Sequence, residues 1–427
     1  MSVLTPGQQI YTLIEELYPI CRSITGDGFR QSLAILGKHI PLELHEVPSG
    51  TAVLDWTVPK EWNIRAAYIK NARGEKLVDF KDSNLHILNY SVPLHKKVGL
   101  AELKEHLYSL PDYEDWIPYR TSYYKENWGF CVPHRLLKSL SDEEYEVVID
   151  STLENGSLTY GEYYLKGELE EEFLISCHCC HPSLCNDNLS GMGLAVQLAK
   201  TLSQRKLRYS YRFVFIPGTI GSITWLAANR EQTAKIRHGL VIACVGDAGK
   251  LHYKKSRRGD TEIDRAVTQV LKTSGQDYEL IEFFPYGYDE RQYCSPGFNL
   301  PVGCLSRTPH GQFPQYHTSA DNLEFVQPQY LEDSFEKYLE AIEVIEGNRC
   351  YQNTLPYGEP QLGKRGLYGM FGGKKDSNLR EMALLWVLNL SDGQHSLLDI
   401  VEKSGIRFSI IKETADTLLS QNLLREV

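Results

Sequence analysis

No stretch of the 427-residue chain approaches 18 consecutive apolar residues, so no membrane-spanning helix is expected. Positive charge is short as well. Lys and Arg number 45 against 55 Asp and Glu, for a formal net charge of −10. A broad electropositive surface for phosphate contacts is therefore not expected, nor is nucleic acid as a partner. The first twenty residues, MSVLTPGQQIYTLIEELYPI, lack a basic n-region and a long apolar h-region. That argues against a secretory signal and for a cytoplasmic protein. Ten cysteines in such a chain are expected to stay reduced thiols. No internal repeat or low-complexity tract is visible.

What is present is ordinary globular composition, 42% hydrophobic and 23% charged, in a chain long enough for two or three domains. Thr5-Pro6 opens a helix on which Ile10, Leu13, Ile14 and Leu17 repeat at helical spacing. From 46 to 140 short apolar pairs alternate with Pro, Gly, Asn and Asp, which predicts an inserted β-rich domain with Trp56 and Trp62 in its core. Segments 1–45 and 141–352 read as one α/β domain, because strand-like runs (YEVVIDSTL, EFLISCH, YRFVFIP, HGLVIACVGD, LPVGCLSR) alternate with helical ones. The fold class expected is α/β, a mostly parallel central sheet flanked by helices. A Pro- and Gly-rich linker at 354–373 leads to 363–427, read as a winged helix with three helices and a short hairpin.

In an open parallel sheet, ligands bind beyond the carboxyl ends of the strands. His178 follows EFLISC, with Asp187 just before the next helix. Gly246-Asp247 follows GLVIACV, and a loop with His310 and His317 follows LPVGCL. Imidazoles and carboxylates therefore gather at one sheet edge, a mix of nitrogen and oxygen donors that suits zinc. Cys177, Cys179, Cys180 and Cys185 crowd the same stretch, but no second Cys/His cluster with finger-like spacing follows. Cys177 and Cys179 flank His178 on a strand, so they are expected to point away from it and pack.

The segment Asn186-Asp187-Asn188-Leu189-Ser190-Gly191 resembles the Asp-Asn-x-Ser-Gly motif of the zinc aminopeptidase superfamily, which includes bacterial leucyl aminopeptidases and glutaminyl cyclases. The resemblance implies that His178, Asp187, Asp247 and His317 hold metal, with Asp187 in the bridging position. DWTVPKEW, NWGFC, PGTIGS, DERQYCSPG and HTSADNL mark a branch with an inserted β-rich domain and a C-terminal winged helix. The branch implies a link to surface-polysaccharide biosynthesis.

Two departures bear on chemistry. Where the superfamily has Glu-Glu, one a general base and one a second-metal ligand, this chain has Gly218-Thr219 within Pro217-Gly218-Thr219-Ile220-Gly221. The Asp that steadies the first His is replaced by Cys180. One zinc is thus expected rather than two, and a replacement base is needed. Candidates are Asp289 and Glu290; Glu290 has a plainer reading as an exposed partner of Arg291. His181 is open as ligand, base or donor to a ligand. Arg257, in a basic run, and Arg307 are candidate anion-binding residues for substrate.

The expected activity is zinc-dependent hydrolysis of an amide in a peptide or in an N-acyl or aminoacyl small molecule. The competing expectation is a catalytically degenerate protein that binds metal or ligand for regulation. Residues 363–427 carry nine Lys/Arg against eight Asp/Glu, so the winged helix is expected to contact protein or a second copy of the chain.

Overall fold

The computed structural model describes residues 4–367 and 377–427. It divides into two compact units, one comprising Met1–Gly259 and Glu279–Glu336, the other Asp260–Tyr278 and Lys337–Val427.

The first unit is built on an eight-stranded sheet. Its strands are β1 (Glu43–Pro48), β2 (Ser157–Leu165), β3 (Glu172–His178), β4 (Ser210–Ile216), β5 (Ile236–Ile242), β6 (Leu251–Lys254), β7 (Tyr278–Ile281) and β8 (Val302–Ser306). They lie in the order β1-β2-β4-β3-β5-β8-β6-β7. The centre, β4-β3-β5-β8, is parallel, and antiparallel pairs β1/β2, β2/β4 and β6/β8 extend it on both sides. Every residue of β3 and β4 is buried, so both faces are covered, and neither strand shows the polar–apolar alternation of a half-exposed one.

Helix α1 (Pro6–Leu17) starts with a capping box in which Thr5 and Gln8 satisfy each other's backbone N–H, and it buries Ile10, Leu13, Ile14 and Leu17. Helix α2 (Ser190–Leu202) follows the motif loop and lies against α1. A Cβ on Gly193 would stand 2.8 Å from Ile10 Cγ2, so glycine sets that approach. Helix α3 (Ile220–Ala228) starts directly after the Gly218-Thr219 turn.

The inserted segment forms an antiparallel sheet of its own within the first unit, but its edges differ from the expected 46 and 140. Glu43–Pro48 pairs with β2 in the central sheet. Glu144–Glu154, expected in the α/β layer, pairs instead with Glu61–Lys70 and Leu94–Gly99 in a four-stranded antiparallel sheet. The physical reason lies in its burial, which alternates along the strand as it must where one face meets solvent. Trp62 is buried and donates its Nε1–H to Ser91 O at 2.8 Å, but Trp56 is 42% exposed and anchors no core.

In the second unit, Cys350–Asn353 pairs with both Asp392–Ser396 and Leu424–Glu426. Helices Ser377–Leu390, Leu397–Ser404 and Phe408–Ser420 complete a winged helix around Leu384, Val387, Ile400, Ile411 and Leu418. The module thus starts near 350 rather than 363, because its central strand is Cys350–Asn353. Within this unit Arg265, on Glu262–Thr273, pairs with Asp399 and Glu402 at 2.6 and 2.7 Å. Residues 368–373 of the expected linker lie outside the described residues.

Candidate metal centre

The motif loop Cys185–Leu189 connects the end of β3 to α2, and most of its polar side chains serve as braces. Asn186 Oδ1 accepts Gly246 N at 2.8 Å. Asn188 Nδ2 donates to Ile242 O at 2.9 Å while its Oδ1 accepts Gly191 N and Cys244 N. Ser190 Oγ accepts Val245 N at 3.1 Å. The loop is thereby tied to the chain leaving β5. Asp321 adds a clamp from the far loop, its two oxygens accepting Asn186 N at 2.6 Å and Asp187 N at 3.0 Å.

Asp187 is left facing the other way. It is fully buried, and each carboxylate oxygen meets one imidazole: His178 Nε2 at 2.9 Å from Oδ1, and His317 Nε2 at 2.9 Å from Oδ2. His181 completes the group, with its ring centre 5.1 Å from that of His178 and 5.0 Å from that of His317. Donor atoms of His178, His181 and Asp187 all lie within 4.8 Å of one another. That spacing and donor chemistry fit a zinc ion.

The electrostatics agree. Burial opposes charge on Asp187, but His181, His178 and His317 hold its pKa well below the ordinary carboxylate range. Burial pushes the His181 pKa down to about 3, so its ring keeps a free lone pair at neutral pH. Burial acts most strongly against protonated His178, yet the hydrogen bond and charge of Asp187, joined by the charges of Asp289 and Glu290, together outweigh it and raise the pKa. Arg22, itself buried, donates Nε–H to His181 O at 3.1 Å and fixes the turn that carries this ring.

A cavity of about 180 Å³ opens beside the cluster. His178, His181 and Cys180 form one side, Tyr123, Tyr288 and Tyr316 another, and Gly218, Thr219, Gly287 and Asp289 the rest. Its size admits one small group, well below the ~300–1,000 Å³ of pockets that enclose drug-sized ligands. Thr219, Cys244 and His317 have positive φ of 64°, 53° and 56°, so non-glycine residues in the left-handed region gather around the cluster.

The sequence candidates separate clearly. His178, His181, Asp187 and His317 come together. Asp247 does not face them: Oδ1 accepts Gly249 N and Thr308 Oγ1 at 2.7 and 2.6 Å, and Oδ2 accepts Asn186 Nδ2 and Thr308 N at 2.9 and 3.2 Å. All its acceptor capacity goes to bracing loops. Cys244, at a positive φ just after β5, has its Sγ 2.8 Å from Tyr288 Oη, and the Tyr288 ring stacks on His178 at 5.3 Å. Of the two candidate bases, Asp289 lines the cavity, whereas Glu290 is 0% exposed and pairs with Lys254 Nζ at 2.8 Å. The expected surface pair of Glu290 with Arg291 is absent, because β6 brings Lys254 underneath. Arg307 is buried and committed to Gly249 O and Asp333. Arg257 is exposed, bonds Asn299 Oδ1 at 3.0 Å, and does not line the cavity.

Sequence reasoning missed the tyrosines. Tyr119 packs edge-on against both His181 and His317, and its N–H donates to His317 O at 2.7 Å. It and Tyr123 come from the connection between Leu94–Gly99 and Glu144–Glu154 of the inserted sheet, docked by a bridge between Pro118 and Thr318. Only the scatter of 26 tyrosines hinted at them, and nothing in their spacing points to His317.

Comparison with known proteins agrees with this fold. Residues 11–348 match a family described as a domain of unknown function, DUF4910, and residues 349–426 match a winged helix-turn-helix family. A Clostridium acetobutylicum protein, provisionally named as a polysaccharide biosynthesis protein with an aminopeptidase-like domain, is 58% identical over 421 residues, covering 99% of this chain and 97% of that one. The crystal structure of a Clostridium acetobutylicum protein provisionally named a peptidase matches with a TM-score of 0.94 at 56% identity, over 99% of this chain and 96% of that chain. A zinc aminopeptidase from Bacillus subtilis shares the fold at a TM-score of 0.59 and 13% identity, over 81% of this chain and 96% of that one. The chain belongs to the DUF4910 family, here an aminopeptidase-like fold followed by a C-terminal winged helix.

Proposed function

We propose that this protein is a zinc-dependent amide hydrolase acting on a peptide or on an N-acyl or aminoacyl small molecule. The observation that carries the reading is Asp187, a fully buried carboxylate whose oxygens each face an imidazole, with a third imidazole alongside. His178, Asp187 and His317 would hold the ion, and His181 supplies a further nitrogen. Zinc bound there would supply a Lewis acid for an amide carbonyl. The chain's own groups do the rest. The tyrosine walls limit water and orient one small substituent. Asp289 is the group placed to accept and return a proton: its Oδ1 is fixed by Thr219 N at 2.8 Å and Ser222 Oγ at 2.7 Å, while Oδ2 has no hydrogen-bond partner among the described residues.

The name of the 58% identical relative supports a role in polysaccharide biosynthesis, where an amide on a modified sugar is a fitting substrate. The winged helix fits a protein-contact or self-association role, since residues 363–427 carry nine Lys/Arg against eight Asp/Glu and so are close to neutral. Among the described residues no helix is long and apolar enough to cross a membrane, in keeping with the proposed cytoplasmic setting.

The test is elemental analysis of the purified protein together with turnover of an aminoacyl and N-acyl panel. About one equivalent of zinc and chelator-sensitive turnover are expected, and Asp289→Asn should keep the zinc and lose a factor of ~10²–10⁴ in rate. Protein that takes up no metal sinks the proposal. Absence of the Glu-Glu pair at Gly218-Thr219 favours a second reading, a ligand-binding protein without turnover. That reading predicts zinc uptake and ligand-dependent stabilisation with an inert panel.

A further inference from the structure

Near the cavity, two buried nitrogens have no hydrogen-bond partner among the described residues, and Glu290 Oε2 beside them has none either. The nitrogens are Arg291 Nε and His310 Nδ1. Unmade hydrogen bonds of buried donors are costly, so such a pair in one place needs a reason. Both side chains flank the ring of Tyr286: Arg291 Cζ stands 5.7 Å from its centre, and the His310 ring 5.4 Å from it. Both also reach the cavity wall. Arg291 Nη2 donates to Thr219 Oγ1 at 3.3 Å, and His310 packs edge-on against Tyr288 at 4.9 Å.

The charge of Arg291 is likewise unanswered. It makes no ion pair among the described residues. Neither acidic neighbour in sequence pairs with it: Asp289 Oδ1 accepts from Thr219 and Ser222, and Glu290 Oε1 from Lys254. A guanidinium fork of this kind, partly buried and free of carboxylate, is suited to a planar or tetrahedral oxyanion. Tyr286 is 64% exposed, so a ligand can reach this corner from solvent.

We propose that Arg291 and His310 form a subsite for an oxyanion, a carboxylate or a phosphate, carried by the substrate beside the group that enters the cavity. The substrate claim rests on the hydrolase reading and narrows it to acidic amides. Anion binding itself does not depend on turnover. The subsite also replaces the anion-binding role expected of Arg257 and Arg307, neither of which is available to the cavity.

The test is calorimetric titration of the full-length protein with succinate, with inorganic phosphate, and with neutral succinamide, before and after chelation. Expected are binding of succinate or phosphate, no heat with succinamide, and at least a tenfold weaker Kd in Arg291→Ala, while Arg257→Ala binds as wild type. Succinate alone marks a carboxylate substrate; phosphate alone marks a phosphorylated one. Arg291→Lys, with Tm checked without ligand, guards against a folding defect and should bind more weakly than wild type but better than Arg291→Ala. No binding of either anion overturns the proposal. So does binding that survives Arg291→Ala but disappears on chelation, which places the anion on the metal. Anion binding through Arg291 in a protein inert to the whole panel sinks the hydrolase reading and keeps the subsite. Turnover of neutral amides with an unchanged KM in Arg291→Ala does the reverse.

Discussion

Glu290→Gln separates a structural carboxylate from a catalytic one. Glu290 is 0% exposed, and Lys254 Nζ donates to its Oε1 at 2.8 Å and to Tyr286 O at 2.7 Å. The gross attraction of such a pair is about 6 kcal/mol at an effective dielectric of about 20, and desolvation of both groups offsets much of it. Burial also raises the Glu290 pKa against the pull of Lys254, so the carboxylate is held charged by its partner and not by its surroundings. Removing one partner strands the other, at a cost of about 3–5 kcal/mol. Chemical denaturation should therefore show Glu290→Gln and Lys254→Met each destabilised on that scale. The double variant should recover most of the loss, because no charge is then buried unpaired. Zinc content should not change, as Glu290 and Lys254 bond to each other and to Tyr286 O and not to Asp187 or the histidines. A stable Glu290→Gln protein that has lost only turnover would refute this account and return Glu290 to the list of bases. So would a double variant as unstable as the sum of the single ones.

Three further outcomes are expected. Asp247→Ala should cost about 3 kcal/mol or more in denaturation, since four donors lose their acceptor, yet should retain its zinc by elemental analysis. Glu61 is held down to about 2 by its hydrogen bonds with Arg30, so the stability it adds is complete above its ordinary value of 4.5 and is lost as pH falls toward 2; Glu61→Gln should flatten the stability profile in that window. A Cβ on Gly218 would meet only Cys180 Sγ at 3.5 Å and His178 Cβ at 3.7 Å, so Gly218→Glu should fold normally and bind zinc more tightly than wild type in a competition titration. Unchanged affinity there would show that the added carboxylate does not reach the cluster.

That His178, Asp187 and His317 meet is legible in the sequence, because a strand end, a motif loop and a late loop each fix where a side chain must emerge. Asp247 was misplaced for a reason that sequence cannot show. Its distance from the end of β5 is right, but the left-handed turn at Cys244 rotates the chain, and the aspartate faces Thr308 instead. Glu290 was read against its neighbour Arg291, whereas its partner Lys254 lies 36 residues earlier and becomes adjacent only through the pairing of β6 with β8. Tyr119 and Tyr123 depend on the docking of the inserted segment against the His317 loop, a long-range contact with no local signature. The insert's own sheet was readable as strands, but Glu144–Glu154 was assigned to the wrong sheet, because which sheet a strand joins is decided by pairing partners far along the chain.

The missing Glu-Glu pair has a structural counterpart. The turn after β4 offers its backbone where the carboxylates would stand: Gly218 N–H points to Cys180 Sγ at 3.2 Å, and Thr219 N–H donates to Asp289 Oδ1 at 2.8 Å. An acidic group therefore does reach this turn, from the segment before β8 instead of from the turn itself. A nitrogen donor, His181, adjoins Asp187 as well. The exchange changes the charge of the site. Asp187 is the one carboxylate in the donor cluster, with imidazoles around it. A second ion would add two further buried positive charges, at a desolvation cost of several kcal/mol with no second carboxylate in that cluster to offset it. The positions taken by Asp289 and His181 thus argue for a single zinc, and a metal-to-protein ratio near two would contradict them.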